Sequence, residues 1–210
     1  MNIDFSGRAI LALHFTPSGD AAGNGPRRVF LFSGHMIDAP GRKIPRFSPH
    51  KEPLVTRATA ELLSRLDAGP ADLAICGGAC GGDLIFAEAA LSRGVHIEVY
   101  LPFDEPVFLA RSVDFAGAQW RARFEAVKSR AVLHVMPEEN RLADEDGATY
   151  ARNNQWMLES ATRFGAQKVE FIALWDGRRA DGPGGTQHLI EEVRRIGGRW
   201  HVITVLQTET

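Results

Sequence analysis

Cysteine is scarce: the 210 residues hold two, Cys76 and Cys80, both inside one short loop. That rules out a disulfide framework and suits a reducing compartment. Long apolar runs are missing as well, since no stretch approaches the roughly 18 residues a membrane helix needs. The opening MNIDFSGRAILALHF has no basic segment before its apolar run and no small-residue cleavage site, so a secretory leader is not expected. A cytoplasmic location without membrane partners is the expectation. Charge of one sign is lacking too: 24 Lys and Arg stand against 26 Asp and Glu, a net charge of −2. The broad positive field of nucleic-acid binders is therefore absent, although local basic patches remain open, and nucleic acid is not expected as a partner. Metal signatures fail in the same way. Cys76 and Cys80 form a CxxxC with no histidine near in sequence, and the seven histidines are scattered. No GxSxG elbow, P-loop or HExxH occurs, and neither metal nor cofactor is expected.

What is present is a globular composition, 44% hydrophobic with 21 glycines. Residues 1–28 read as an extension and linker, with an optional extra strand over Arg8–Phe15 and a Gly/Pro/Ser-rich joint at 16–28. From residue 29 to 210 a regular alternation begins. Apolar runs at Val29–Phe32, Leu73–Ile75, His96–Leu101, Ala131–Met136, Val169–Trp175 and Trp200–Leu206 predict strands. Between them, helical periodicity runs over Leu54–Leu66, Asp83–Arg93, Pro102–Arg130, Thr149–Phe164 and Thr186–Ile196. This predicts one α/β domain, doubly wound around a mainly parallel six-stranded Rossmann-like sheet in the order 3-2-1-4-5-6. The third and sixth strands carry more polar interruptions, which suits the sheet edges of that order.

Ligands of such sheets bind beyond the carboxyl ends of the strands, so the loops there carry the candidates. After the second strand comes Gly77-Gly78-Ala79-Cys80-Gly81-Gly82-Asp83, immediately before a helix. Glycines let backbone amides approach a ligand, and a helix start favours an anion. Asp83 suits the helix start, as a cap or as an acceptor for a ribose hydroxyl. The spacing is GGxxGxD, not GxGxxG, so the usual dinucleotide fingerprint is absent. A second glycine-bearing turn, Gly184-Gly185-Thr186, precedes the last helix, and two such turns on one edge suit a phosphate or ribose at each. Ser33, Gly34 and His35 follow the first strand, with His35 as general acid/base or as a structural histidine. Arg42, Lys43, Arg46, His50 and Lys51 follow, as phosphate clamps or as a solvated face.

GGACGGD after a strand, LPF after the next, and WDG…DGPGGT before the last helix resemble the SLOG superfamily. This group of Rossmann-like nucleotide-binding domains includes LOG phosphoribohydrolases and DprA proteins. The stretches LFSGHMIDAPGR and YARNNQWMLESA are most similar to the bacterial subset attached to signalling or effector modules, and the resemblance spans about residues 29–205. It implies binding of a nucleotide or an ADP-ribose-like derivative, and it adds Asn154 to the contact set. A homodimer is also implied. One departure bears on activity. LOG enzymes carry a catalytic glutamate in PGGxGTxxE, whereas here Leu189 stands three residues after Thr186 and no acid appears before Glu191. The catalytic residues are thus unassigned. The expected function is non-catalytic sensing of a small nucleotide derivative, with LOG-type N-glycosidic hydrolysis through Glu88 or Glu191 as the alternative.

Overall fold

The computed structural model describes residues 25–141, 146–177 and 186–204. Six strands form its sheet: β1 (Val29–Gly34), β2 (Leu73–Cys76), β3 (His96–Leu101), β4 (Val132–Val135), β5 (Val169–Trp175) and β6 (Arg199–Thr204). The helices are α1 (Glu52–Arg65), α2 (Gly82–Ser92), α3 (Glu105–Ser112), α4 (Ala118–Lys128), α5 (Asp146–Thr162) and α6 (Thr186–Arg195). All neighbouring strands are parallel, in the order β4-β3-β2-β1-β5-β6.

The central strands are apolar on both sides because both faces of the sheet are covered. Phe30 and Phe32 of β1 enter a core shared with α1, α2, α3 and α4, while Val29 and Leu31 enter a second core shared with α5 and α6. Helix α2 lies between α1 and α4 and above the sheet. It is accordingly apolar nearly all round, with Leu84, Ile85, Phe86, Ala87, Ala90 and Leu91 buried. The Phe86 ring stacks on Phe32 with centroids 4.7 Å apart.

The doubly wound parallel architecture is the expected one, but β4 takes a different place in the order. It lies outside β3, at the edge, instead of between β1 and β5. Its four residues are only partly covered, which a central strand would not be. β5, buried along nearly its whole length, pairs with β1 in its stead. Helix α5 makes this possible by carrying the chain from β4 back across β3, β2 and β1.

β3 is consequently an interior strand, and its polar alternation has another cause than solvent. Tyr100 donates to Glu98 Oε2 at 2.7 Å, Arg163 just past α5 donates to Glu98 Oε1 at 2.7 Å, and His134 of β4 lies 3.2 Å from Glu98 Oε2. The alternate residues form a polar layer under α5. The stretch over 102–130 holds two helices, divided at Gly117, whose φ of +108° ends a short 3-10 turn at Asp114–Ala116.

Arg27 anchors the entry to β1 by donating to both carboxylate oxygens of buried Asp72, at 2.9 and 2.7 Å. The possible strand over Arg8–Phe15 lies outside the described residues. No helix among the described residues is long and apolar enough to cross a membrane.

Candidate functional site

The switch in winding direction falls between β1 and β5, and the loops after β1, β2 and β3 meet α5 beside it. There they enclose a cavity of about 180 Å³, lined by Ser33, Gly34, Met36, Gly77, Ala79, Asp83, Pro102, Phe108, Tyr150, Asn153, Asn154 and Met157. Tyr150, Asn153, Asn154 and Met157 stand at i, i+3, i+4 and i+7, one face of α5. Next to it runs a larger groove of about 440 Å³ with Arg42, Arg46, Arg111, His35 and Phe115 on its walls. Gly34 and Met36 line both spaces, so the two are neighbours there.

Asp83 is the one carboxylate among the cavity's lining residues. Burial raises its pKa to about 7, against the opposing pull of the Ala79 amide, which donates to its Oδ2 at 3.1 Å. It therefore changes protonation near neutrality. Asn153 is 3% exposed; its Nδ2 donates to the Tyr100 carbonyl at 2.9 Å. Its Oδ1 is buried and accepts no hydrogen bond among the described residues. The Tyr150 and Ser112 hydroxyls share a hydrogen bond of 2.6 Å at the same end of α5.

In the groove, Asp38 organises the basic loop. Its carboxylate accepts the Arg46 amide at 3.0 and 3.1 Å and lies 3.5 Å from Arg42 Nε, which donates to the Ile44 carbonyl at 3.0 Å. The Arg111 guanidinium sits over the Phe103 ring, 4.8 Å from its centroid. His35 points across the switch. Its Nε2 accepts the Asp176 amide at 3.3 Å and lies 3.3 Å from Asp176 Oδ1. Burial lowers its pKa, and the Asp176 carboxylate only partly offsets this, so the imidazole is neutral and suited to accept.

Ser33, Gly34, Gly77, Ala79, Asp83 and Asn154, expected from the sequence, thus come together, whereas His35 faces the neighbouring groove. Gly78, Gly81 and Gly82 serve packing. A Cβ on Gly78 (φ +74°) would stand 2.7 Å from Val99 Cγ1, and one on Gly82 would stand 3.0 Å from Leu174 Cδ2. The loop's amides are largely occupied as well. Cys80 donates to the Ser112 carbonyl, Gly82 to the His35 carbonyl and Leu84 to the Ala79 carbonyl, at 2.9, 3.1 and 3.3 Å. The loop therefore builds the wall of the cavity more than it presents a cradle of donors. Gly184 and Gly185 lie outside the described residues, and Thr186 is the first residue of α6.

Sequence reading passed over Asn153, Tyr150 and Arg111. A helical wheel through the YARNN segment would have placed the first two with Asn154, but nothing local brings α3 and its Arg111 to this edge. Both candidate acids lie elsewhere: Glu88 is held by Arg123 at 2.7 and 2.6 Å, and Glu191 accepts from Gln187 at 3.0 Å. The thiols of Cys76 and Cys80 are buried and free, and burial pushes Cys80 up to about 12 and Cys76 higher still, so both stay protonated.

No protein-family model and no curated protein matches the sequence. Among solved structures, the chain is similar to DNA processing protein A (DprA) from Streptococcus pneumoniae, with TM-score 0.48 and 15% identity over 87% of this chain and 52% of that one. It is also similar to DprA from Helicobacter pylori, with TM-score 0.40 and 15% identity over 83% and 75% of the two chains. The chain spans about half the length of the first. Both are DprA proteins, members of the group that the loop motifs resemble. The H. pylori structure was solved for its single-stranded DNA binding mode. The expectations of a small-molecule partner and of no nucleic acid therefore do not stand. The physical reason is that a net charge of −2 averages over the whole chain, whereas Arg42, Arg46 and Arg111 gather in one groove.

Proposed function

We propose that the cavity and the arginine groove together bind a segment of single-stranded nucleic acid, without chemistry of their own. The observation that carries this reading is their junction at Gly34 and Met36, which puts a small cavity next to three arginines. Strand binders combine a positive groove that tracks the phosphates with small and aromatic surfaces that receive bases or sugars. At about 180 Å³ the cavity is below the range of a site for a whole ligand and suits one ring of a nucleotide. The phosphates flanking that nucleotide would lie along Arg42, Arg46 and Arg111, whose planar guanidinium groups match phosphate oxygens.

Fluorescence anisotropy with labelled single-stranded oligonucleotides tests the reading. Binding is expected to weaken steeply with salt and to exceed that of mononucleotides, which engage fewer arginines. Duplexes are expected to bind more weakly, because their bases are not available to the cavity. No binding to any strand at low salt would overturn the proposal.

One observation favours a second reading, N-glycosidic hydrolysis. Asp83 changes protonation near pH 7 at a cavity wall, which is a property of general acids. Chromatographic detection of free base from a nucleotide, lost in Asp83→Asn, would favour it.

A further inference from the structure

Asp83 is a carboxylate set on a cavity wall without a counter-ion. Its Oδ2 accepts a hydrogen bond from the Ala79 amide at 3.1 Å, and no cation among the described residues pairs with it. The residue keeps part of its surface open while lining the cavity. The start of α2 offers little compensation, because the Gly82 and Leu84 amides donate instead to the His35 and Ala79 carbonyls. The ionisable groups that face Asp83 are the thiols of Cys76, at the end of β2, and Cys80, both protonated, and the Tyr150 hydroxyl on the α5 side of the cavity. β1, α3 and the loop after β3 add no charged residue to these walls. Arg42, Arg46, Arg111 and His35 line the neighbouring groove instead.

We propose that single-stranded nucleic acid binds together with one proton, held on the Asp83 carboxyl group, so that the site is tighter below neutral pH than above it. This inference rests on the reading of the groove as a single-strand site, and it goes beyond that reading by assigning the site a proton-linked regulation. Two effects of the strand act in the same direction. A ring seated in the cavity displaces the water that solvates an ionised carboxylate, and this favours the neutral form. The phosphates bring charge of the same sign and neutralise the arginines beside the cavity, which disfavours the anion again. Once protonated, the carboxyl group can also donate its O–H to an acceptor on the base or sugar, whereas the carboxylate only accepts. The proton comes from solvent and returns to it when the strand leaves. Burial already brings Asp83 of the unliganded protein to a pKa of about 7, so the coupling falls in the neutral range.

Anisotropy titrations of one labelled single strand, at constant salt and at about pH 6, 7 and 8, test the coupling. Wild-type protein is expected to bind about tenfold more weakly at pH 8 than at pH 6, as the protonated fraction of a group titrating near 7 falls from about nine-tenths to about one-tenth. Calorimetry in two buffers of different ionisation enthalpy is expected to show uptake of about one proton per bound strand at pH 8. Asp83→Asn cannot ionise, and its affinity is expected to hold within about twofold across the range. Thermal unfolding shows whether the variant folds; if it does not, proton uptake by the wild type decides. A wild-type affinity that is flat with pH, binding without proton uptake, or an Asp83→Asn variant with the wild-type pH slope overturns the inference while leaving single-strand binding in place. Failure of every strand to bind at any pH overturns both.

Discussion

Gly81 and Ile37 approach so closely that a Cβ on the glycine would stand 2.5 Å from the Ile37 amide nitrogen. The two loops are bonded there: Met36 and Gly81 form an isolated antiparallel bridge, and Ile37 donates to the Cys80 carbonyl at 3.3 Å. The glycines after β2 therefore clasp the loop after β1, and that clasp gives the cavity its shape.

Gly81→Ala is expected to destabilise the protein by about 2 kcal/mol or more. A φ of +95° is already costly for an L side chain, and the atom the new methyl group meets is backbone, which has no rotamer to escape into. Urea unfolding measures this. An unchanged midpoint would show that the two loops are not coupled.

Asp83→Asn is expected to stabilise the protein at neutral pH and hardly at all near pH 4. In the unfolded chain the carboxyl ionises near 3.8, while the folded protein holds the proton until about 7. Between those values the folded state binds more protons, so wild-type stability falls as pH rises through the window. Asparagine has no such dependence, so the gap between variant and wild type should open from pH 4 to 7, to about 2–4 kcal/mol. Unfolding midpoints across that range would show it, and a constant gap would contradict it.

Replacing Arg42, Arg46 and Arg111 with Gln, singly and together, is expected to weaken strand binding for every sequence alike. Each lost phosphate contact should lower the slope of log affinity against log salt by about 1. Anisotropy titrations at several salt concentrations provide the slopes. Unaltered slopes in the triple variant would remove the groove from the binding surface.

Arg27→Ala is expected to cost about 1–3 kcal/mol at neutral pH, since it takes a guanidinium away from a carboxylate whose side chain is 0% exposed. Burial opposes ionisation of Asp72, but hydrogen bonds from Arg27, Arg28 and the Gly69 amide outweigh it and lower its pKa. That stabilisation is present above the unfolded value of 3.8 and is lost as pH falls through the lower folded value. The variant should therefore lose less stability on acidification than wild type does, which circular dichroism at stepped pH would record.

Much of this architecture was legible in the chain. The buried runs of β1, β2 and β5 stand out because strands covered on both faces are mostly apolar, with Glu170 of β5 admitted only because Arg199 and His201 pair with it. The glycines at 77–82 mark a strand-to-helix turn because few other residues tolerate its dihedral angles. What misled was alternation in β3. Glu98 is largely shielded from water and is met there by Tyr100, by Arg163 just past α5 and by His134 of β4. Alternation reports that one face is polar; it does not report what satisfies it.

The site divides along the same line. Asp83 and Gly77 were visible because the loop that carries them is compositionally unusual, whereas Asn153 sits in an ordinary helix. Its significance depends on the Tyr100 carbonyl, 53 positions away in sequence. Arg111 reaches the groove only because α3 folds over the loops of β1 and β2.

By itself, the sequence determined where most of the described strands and helices lie, that they alternate as in a layered α/β sheet, and which turn demands glycine. These are properties of local periodicity and dihedral preference. Only the tertiary structure decided that β4 joins β3 at the edge, that a carboxylate in the first turn of α2 holds its proton to neutrality, and that three arginines of a weakly acidic chain share a groove. Each of those depends on which distant residue ends up as a neighbour, and no local pattern encodes that choice.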